Sequence, residues 1–206
     1  LARDYEGFTV EEVDRLTGPV IGRPKSATFR TCDVVGLDTL VHVANGLYQA
    51  VPNDEKHEVF ALPEFINYMI ENKLLGDKTR KGFYQKVRRP DGSSEILAMD
   101  LKTKEYKAQE KPKFASIGQA KQIDDLKTRI KFLVKAKDRA GDFYRASYSG
   151  LFEYVSNRIP EIADDLYKID QGMKAGFGWD LGPFETWDAI GLEKGLKMME
   201  AAGNKP

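Results

Sequence analysis

A ten-residue segment occurs twice in this chain in closely related form. Residues 29–38 read FRTCDVVGLD and residues 184–193 read FETWDAIGLE, so phenylalanine, threonine, aspartate, glycine and leucine recur in place. The two segments lie much farther apart than the roughly 20–50 residues of a solenoid period. We therefore predict a duplicated structural unit rather than a repeat array.

Each copy has the local chemistry of a short helix, a sharp bend and a new helix. Glycine closes each short helix at a position where a left-handed backbone favours it. Ser26 is the predicted N-cap of the first short helix, whereas Gly182 and Pro183 open the second. The predicted structural residues of the repeat and its interface are Phe29, Asp33, Gly36, Phe184, Asp188 and Gly191.

The remaining patterns predict a mainly α fold with two helical blocks and a small β-hairpin between them. Thr9 and Glu12 have the spacing of a capping box, which predicts a helix from that point. Alternating apolar and polar residues around Pro90, Asp91 and Gly92 predict the hairpin. We place the first helical copy at residues 1–82, the hairpin and a polar linker at 83–120, and the second copy at 121–206.

The balance of charge argues against a nucleic-acid partner. Lysine plus arginine and aspartate plus glutamate both total 32, giving zero net charge, so we expect no nucleic-acid partner. The basic segment KTRIKFLVKAKDR, residues 127–139, is predicted to be a solvated helix face. The least charged run, residues 34–51, still contains Asp38 and His42, so we expect no membrane span.

Cys32 is the single cysteine, which fits a reducing compartment, and we predict a cytoplasmic protein without a cysteine-based metal site. His42 and His57 have no neighbours at metal-ligand spacing. The segment GFGWDLG, residues 176–182, lacks the glycine spacing and the preceding strand of a dinucleotide fingerprint. We therefore predict no metal site and no catalytic residue in this chain.

One segment carries more cationic side chains than a simple bend requires. Arg23, Lys25 and Arg30 surround Ser26 and the predicted start of a short helix, where free backbone N–H groups favour anions. These four residues are our candidate substrate-binding set, for a phosphate or a carboxylate. The alternative is that they form a set of ion pairs that packs against another domain.

The same segments resemble a known family. Residues 169–195, IDQGMKAGFGWDLGPFETWDAIGLEKG, resemble the C-terminal domain of L-3-hydroxyacyl-CoA dehydrogenases, and residues 18–44 look like the first copy of that domain in bacterial forms that carry two. Residues 74–86, LLGDKTRKGFYQK, are similar to a further family segment, with Arg80 where glycine is common.

This resemblance implies an enzyme of fatty-acid β-oxidation that oxidises a 3-hydroxyacyl-CoA to a 3-ketoacyl-CoA with NAD+. In the family an N-terminal Rossmann domain binds the NAD and carries the catalytic histidine. Neither the glycine-rich NAD-binding motif nor the motif around the catalytic histidine occurs in these residues. The resemblance also implies two helical domains of the 6-phosphogluconate-dehydrogenase C-terminal type, related by a pseudo-twofold axis.

We therefore expect the chain to be a piece of a longer dehydrogenase, one form of which also carries an enoyl-CoA hydratase domain. Alone it should be inactive, supplying the scaffold and the wall beside the acyl chain. Its expected partners are the Rossmann domain and the acyl-CoA. The alternative is a non-enzymatic helical interaction module derived from the same fold.

Overall fold

A computed structural model describes residues 7–205 of the chain, and this part is mainly helical, as predicted. The helices are α1 (Val10–Thr17), α2 (Phe29–Val35), α3 (Leu37–Ala50), α4 (Glu64–Glu71), α5 (Ala115–Ala120), α6 (Leu126–Leu133), α7 (Arg139–Asn157), α8 (Leu166–Phe177), α9 (Pro183–Ile190) and α10 (Leu192–Ala201). The strands are β1 (Tyr84–Arg88), β2 (Ser94–Met99) and β3 (Tyr106–Ala108). No helix within residues 7–205 combines the length and the apolar character that crossing a membrane requires.

The described residues form two compact units. The first contains the residues up to Arg15 together with Ser26–Pro112, and the second contains Leu16–Lys25 and the chain from Lys113 onward. This grouping differs from the boundaries expected from sequence, because the sheet belongs to the first unit and Leu16–Lys25 belongs to the second. The assignment of residues 1–82 and 121–206 to two ancestral copies stays a prediction.

The first unit has an apolar core built from helices and the sheet. Its buried members are Val10, Val13, Phe29, Leu37, Ile66, Met69, Phe83 and Met99. The ring of Phe83 lies 4.5 Å from that of Phe29 and 6.2 Å from that of Phe65. Each such side chain contributes about 1.5–3 kcal/mol when it leaves water, so Phe83 fixes the sheet against the helices of this unit.

The sheet confirms the predicted hairpin and adds a strand to it. β1 and β2 pair antiparallel with Tyr84 opposite Ala98, and Gly92 takes a positive φ of 83° in the turn. The third strand, β3, pairs with β2 in a segment where a linker was predicted. The linker prediction also missed α5, a single short helix that buries Ile117 and Ala120, because six residues are too few to show a periodic pattern.

Helix starts are the other point of difference. The Thr9–Glu12 capping box is confirmed by reciprocal hydrogen bonds of 3.0 and 3.2 Å. α2, however, has Thr28 and not Ser26 as its N-cap residue, and α3 begins directly after Gly36. Local cap propensities failed here because a residue distant in sequence supplies the cap of α2.

The second unit contains a ladder of aromatic rings along α7. Tyr144, Tyr148 and Phe152 recur every fourth residue, which places them on one helix face, and their ring centroids are 6.1 and 5.8 Å apart. The ring of Phe152 stacks on Trp187 of α9 at 4.8 Å. The hydroxyl of Tyr144 donates to the carbonyl of Leu16 at 2.8 Å, so the buried phenol has a partner, as burial requires.

Candidate functional site

The two copies of the repeat have the same backbone at the bend. Gly36 has φ 99° and ψ 130°, and its N–H donates to the backbone carbonyl of Cys32 at 2.8 Å. Gly191 has φ 101° and ψ 132°, and its N–H donates to the backbone carbonyl of Trp187 at 2.8 Å. Glycine is favoured at both positions because it adopts a positive φ without a steric penalty. The ψ value lies outside the left-handed helical region that we predicted, so each bend links two helices directly without a Schellman closure.

A carboxylate caps the helix that precedes each bend. Asp14 accepts the backbone N–H groups of Thr28, Phe29 and Arg30 at 3.0, 2.6 and 3.0 Å. Asp170 accepts those of Phe184 and Glu185 at 2.8 and 3.1 Å. A negative charge at this end of a helix satisfies free N–H groups and complements the helix dipole.

The sequence prediction missed both capping residues. The signal was present, because Val13-Asp14 and Ile169-Asp170 precede the two repeats by nearly the same distance. Asp14 lies 15 residues before Phe29, and Asp170 lies 14 residues before Phe184. Extending the repeat toward the N-terminus with a one-residue gap would have paired the two aspartates.

The copies differ at the aspartate inside the repeat. Asp33 is 1% exposed, and its two oxygens accept the N–H groups of Phe83 and Tyr84, each at 2.8 Å. Gly82 permits this approach, because a Cβ there would lie 2.0 Å from Asp33 Oδ1. The equivalent Asp188 is exposed. The same repeat position is thus a buried acceptor in one copy and a surface residue in the other.

A second difference is an exchange of large and small side chains. The indole of Trp187 lies over Gly195, where a Cβ would be 2.0 Å from its Nε1, and it donates to the carbonyl of Leu192 at 3.2 Å. The corresponding residues of the first copy are Cys32 and Leu40. One copy therefore combines a large residue with glycine, and the other combines a small residue with leucine.

Burial raises the pKa values of Asp33 and of its neighbour Cys32. Burial raises the pKa of Asp33 to about 6, against the lowering effect of its two backbone hydrogen bonds. Burial, aided by the charges of Asp33 and Asp14, raises the pKa of Cys32 to about 12. A thiol that stays protonated is a poor nucleophile, so these surroundings do not activate Cys32 as a nucleophile.

The four predicted substrate-binding residues are divided between the units. Arg30 makes a two-pronged ion pair with Asp77, at 2.6 and 2.9 Å, and Ser26 Oγ lies 2.8 Å from the hydroxyl of Thr31. In the second unit the guanidinium of Arg23 lies 3.7 Å above the ring of Trp179, and Lys25 is exposed.

The backbone N–H groups that motivated an anion site at Ser26 are engaged by Asp14, so α2 does not offer them to a ligand. Arg30 forms its ion pair with Asp77 of the same unit, whereas the ion-pair alternative placed the partners in another domain. A substrate-binding role for the four side chains therefore stays a prediction that rests on the side chains alone.

The other motifs have structural explanations. The segment GFGWDLG begins in the last turn of helix α8, and Gly178 ends that helix with φ 64°. No strand directly precedes it, so it lacks the order of elements that cradles a dinucleotide phosphate. Within residues 7–205 no group of three histidine, cysteine, aspartate or glutamate side chains could hold a metal ion.

The family model for the C-terminal domain of 3-hydroxyacyl-CoA dehydrogenase matches residues 4–86 and 155–205. A protein of Bacillus subtilis named as a probable 3-hydroxyacyl-CoA dehydrogenase is 47% identical over 197 residues, which are 96% of this chain and 24% of the relative. A protein of Deinococcus radiodurans with the same name is 43% identical over 102 residues, which are 48% of this chain and 29% of the relative.

A protein named as the trifunctional enzyme of the fatty acid oxidation complex in Rickettsia felis is 25% identical over 84% of this chain and 22% of the relative. No solved structure gives a significant match. The chain spans roughly a quarter of the length of these relatives.

Proposed function

The chain belongs to the family of 3-hydroxyacyl-CoA dehydrogenase C-terminal domains, and we propose that it works as the helical C-terminal part of such an enzyme. The reaction is the oxidation of a 3-hydroxyacyl-CoA to a 3-ketoacyl-CoA in fatty-acid oxidation. The observation that carries the proposal is 47% identity across 96% of the chain to a relative with that name.

In this proposal NAD+ supplies the hydride acceptor and is held by a Rossmann domain outside these residues. The chain itself provides a helical scaffold and the wall beside the acyl group, a division of labour common in cofactor enzymes. The equivalent caps by Asp14 and Asp170 support a tandem pair of scaffolding copies. The two stretches of family match, each containing one bend, support it as well.

The candidate substrate contacts are Arg23, Lys25, Ser26 and Arg30, which we propose face the anionic part of the acyl-CoA. The exposed ammonium of Lys25 and the guanidinium of Arg23 are suited to phosphate oxygens. The single, half-buried Cys32 fits the reducing environment of the cytoplasm, which we propose as the place of action.

The test compares the natural full-length protein with the 206-residue chain. The full-length protein should form NADH from NAD+ and a 3-hydroxyacyl-CoA, and the chain alone should not. Isothermal titration calorimetry should detect no NAD+ binding to the chain. Micromolar NAD+ binding by the chain would contradict the proposed location of the cofactor, and a full-length protein that forms no NADH would favour the interaction module.

A further inference from the structure

Four buried residues lie on one side of the two helices that meet at the second bend. Trp187 and Ile190 are three residues apart on α9, and Gly195 and Met198 are three residues apart on α10, so each pair shares a helix face. The indole of Trp187 lies over Gly195, which joins the two faces into one side. Ile190 is 1% exposed and Met198 is 7% exposed.

Helix α7 covers this side of the second copy. It packs against both α9 and α10, and its Phe152 stacks on Trp187 at 4.8 Å. Phe152 continues the row of rings that begins with Tyr144 and Tyr148, one at every fourth position. In the second copy the bend is therefore covered by a helix that presents a row of large apolar side chains.

The equivalent side of the first copy is exposed. The repeat pairs Ile190 with Val35 and, continued past the bend, Met198 with Val43. Val35 is 52% exposed and Val43 is 51% exposed. Leu47 follows Val43 by four residues on α3 and is 39% exposed. We call Val35, Val43 and Leu47 the apolar row.

The two helix pairs have the same geometry at the bend. Gly36 and Gly191 agree within 2° in both φ and ψ, so α3 leaves α2 in the direction in which α10 leaves α9. Scattered apolar side chains on a surface are ordinary. The apolar row is different, because Val35 and Val43 occupy positions whose counterparts are buried under a helix.

The first copy buries the opposite side of its helix pair. Leu37 belongs to the core that contains Phe83, and Asp33 accepts the N–H of Phe83. Their counterparts in the second copy are Leu192, which is 63% exposed, and Asp188, which is exposed. The sheet thus covers one side of the bend in the first copy, and α7 covers the other side in the second.

We propose that the apolar row binds an α-helix equivalent to α7, formed by residues that precede Leu1 in the natural protein. Asp14 precedes Asp170 by 156 residues. The same shift applied to α7, Arg139–Asn157, places its equivalent in about the eighteen residues before Leu1. That helix carries apolar side chains at every fourth position, because it packs on the same surface as the ladder of α7.

This inference deepens the proposed function by naming a partner segment for the first copy. It rests on that function only in requiring a longer chain, and the Bacillus subtilis relative, of which this chain covers 24%, has room for the segment. Formation of NADH by the full-length protein, measured on the same preparations, tests the enzymatic part separately.

The experiment measures maleimide labelling of Val43→Cys in a Cys32→Ala background. It compares the 206-residue chain, the same chain extended toward the N-terminus through the proposed helix, and the natural full-length protein. Labelling should be slower by about tenfold or more in both longer proteins, because a covered thiol reacts only through local opening. Ile96→Cys is the matched control, since Ile96 is 50% exposed on β2, and it should react equally fast in all three.

Each other outcome overturns the proposal. Equally fast labelling of Val43→Cys in all three proteins would show that nothing covers the apolar row. Slow labelling of the full-length protein alone would assign the row to another domain. Slow labelling already in the 206-residue chain, with a dimer in analytical ultracentrifugation, would assign it to a second copy. A full-length protein that protects Val43→Cys and forms no NADH would contradict the proposed function alone.

Thermal unfolding gives a second readout. Val43→Asp should leave the Tm of the 206-residue chain unchanged and lower that of the extended chain, because the helix would bury a charge without a partner. Ile96→Asp should leave both values unchanged. An equal drop for Val43→Asp in the two chains would assign Val43 a role within the first unit and overturn the proposal.

Discussion

Asp33 and Phe83 are joined by a buried hydrogen bond of 2.8 Å, from the Phe83 backbone N–H to the Asp33 carboxylate, across 50 residues of sequence. The same carboxylate binds the N–H of Tyr84. The repeat of the first copy is thereby tied to the start of the sheet. Asp188 occupies the equivalent position in the second copy and is exposed. The repeated aspartate is therefore buried in one copy and lies on the surface in the other.

Burial of Asp33 should make stability depend on pH. Its pKa is raised from 3.8 to about 6 in the folded chain, so between these values the folded state holds a proton that the unfolded state has lost. The free energy of unfolding should therefore fall as the pH rises from about 4 to about 6. Urea unfolding of the unmodified chain should show this fall relative to Asp33→Asn. Parallel curves for the two proteins would contradict it.

Loss of the capping carboxylates should destabilise both copies. Asp14→Asn and Asp170→Asn each place an amide N–H₂ where a backbone N–H needs an acceptor, at a cost of about 1–3 kcal/mol. Asp14→Asn should cost more, because Asp14 also accepts the hydroxyl of Tyr84. Urea unfolding measures both, and the exposed Asp188→Asn, expected within about 0.5 kcal/mol of the unmodified chain, is the control. A cost for Asp188→Asn equal to theirs would refute the cap assignment.

Two glycines should resist substitution because backbone and carboxylate approach closely. A Cβ at Gly82 would lie 2.0 Å from Asp33 Oδ1, and one at Gly182 would lie 2.2 Å from Asp170 Oδ1. Neither glycine has a positive φ, so the clash alone should make Gly82→Ala and Gly182→Ala unfavourable by about 1–3 kcal/mol.

Gly46→Ala is the matched control, since nothing lies within 4 Å of its added Cβ. This helical substitution should stabilise the chain by about 0.5–1 kcal/mol. Chemical denaturation of the three variants tests the set. If Gly82→Ala proved as stable as Gly46→Ala, the backbone around Gly82 would have to accommodate the added methyl group without a loss in the free energy of unfolding, and the prediction would be wrong.

Trp187 and Gly195 should be energetically coupled. Trp187→Cys leaves a cavity, and Gly195→Leu collides with the indole, so each alone should destabilise the chain by several kcal/mol, about 3–5 for loss of the aromatic ring. Together they recreate the pair found in the first copy, Cys32 with Leu40. A double-mutant cycle should give a favourable coupling of about 0.5–3 kcal/mol, whereas strict additivity would argue against compensation.

Replacing Arg23 and Lys25 with alanine in the full-length enzyme should raise KM for the acyl-CoA about tenfold, with kcat maintained. Loss of charge-assisted contacts worth about 1.5 kcal/mol accounts for this size. Steady-state kinetics with Lys121→Ala, an exposed lysine elsewhere, supply the control. An unchanged KM would contradict the substrate-binding role, and the contact of Arg23 with Trp179 would then be its structural role.

The sequence predicted local features better than distant ones. The Thr9–Glu12 cap, the hairpin turn and the two glycine bends follow from interactions within a few residues. The roles of Asp14, Asp33 and Asp170 depend on partners 14 or more residues away, which no local propensity encodes. Repeat comparison could have found Asp14 and Asp170, but nothing in the repeat distinguishes buried Asp33 from exposed Asp188.

The exchange of Trp187 with Gly195 for Cys32 with Leu40 means that the two repeated segments are not interchangeable residue by residue. Moving only one member of a pair into the other segment would bring two large side chains together or leave a gap. Any transplant between the two segments should therefore carry the residue of the short helix together with its partner on the helix that follows.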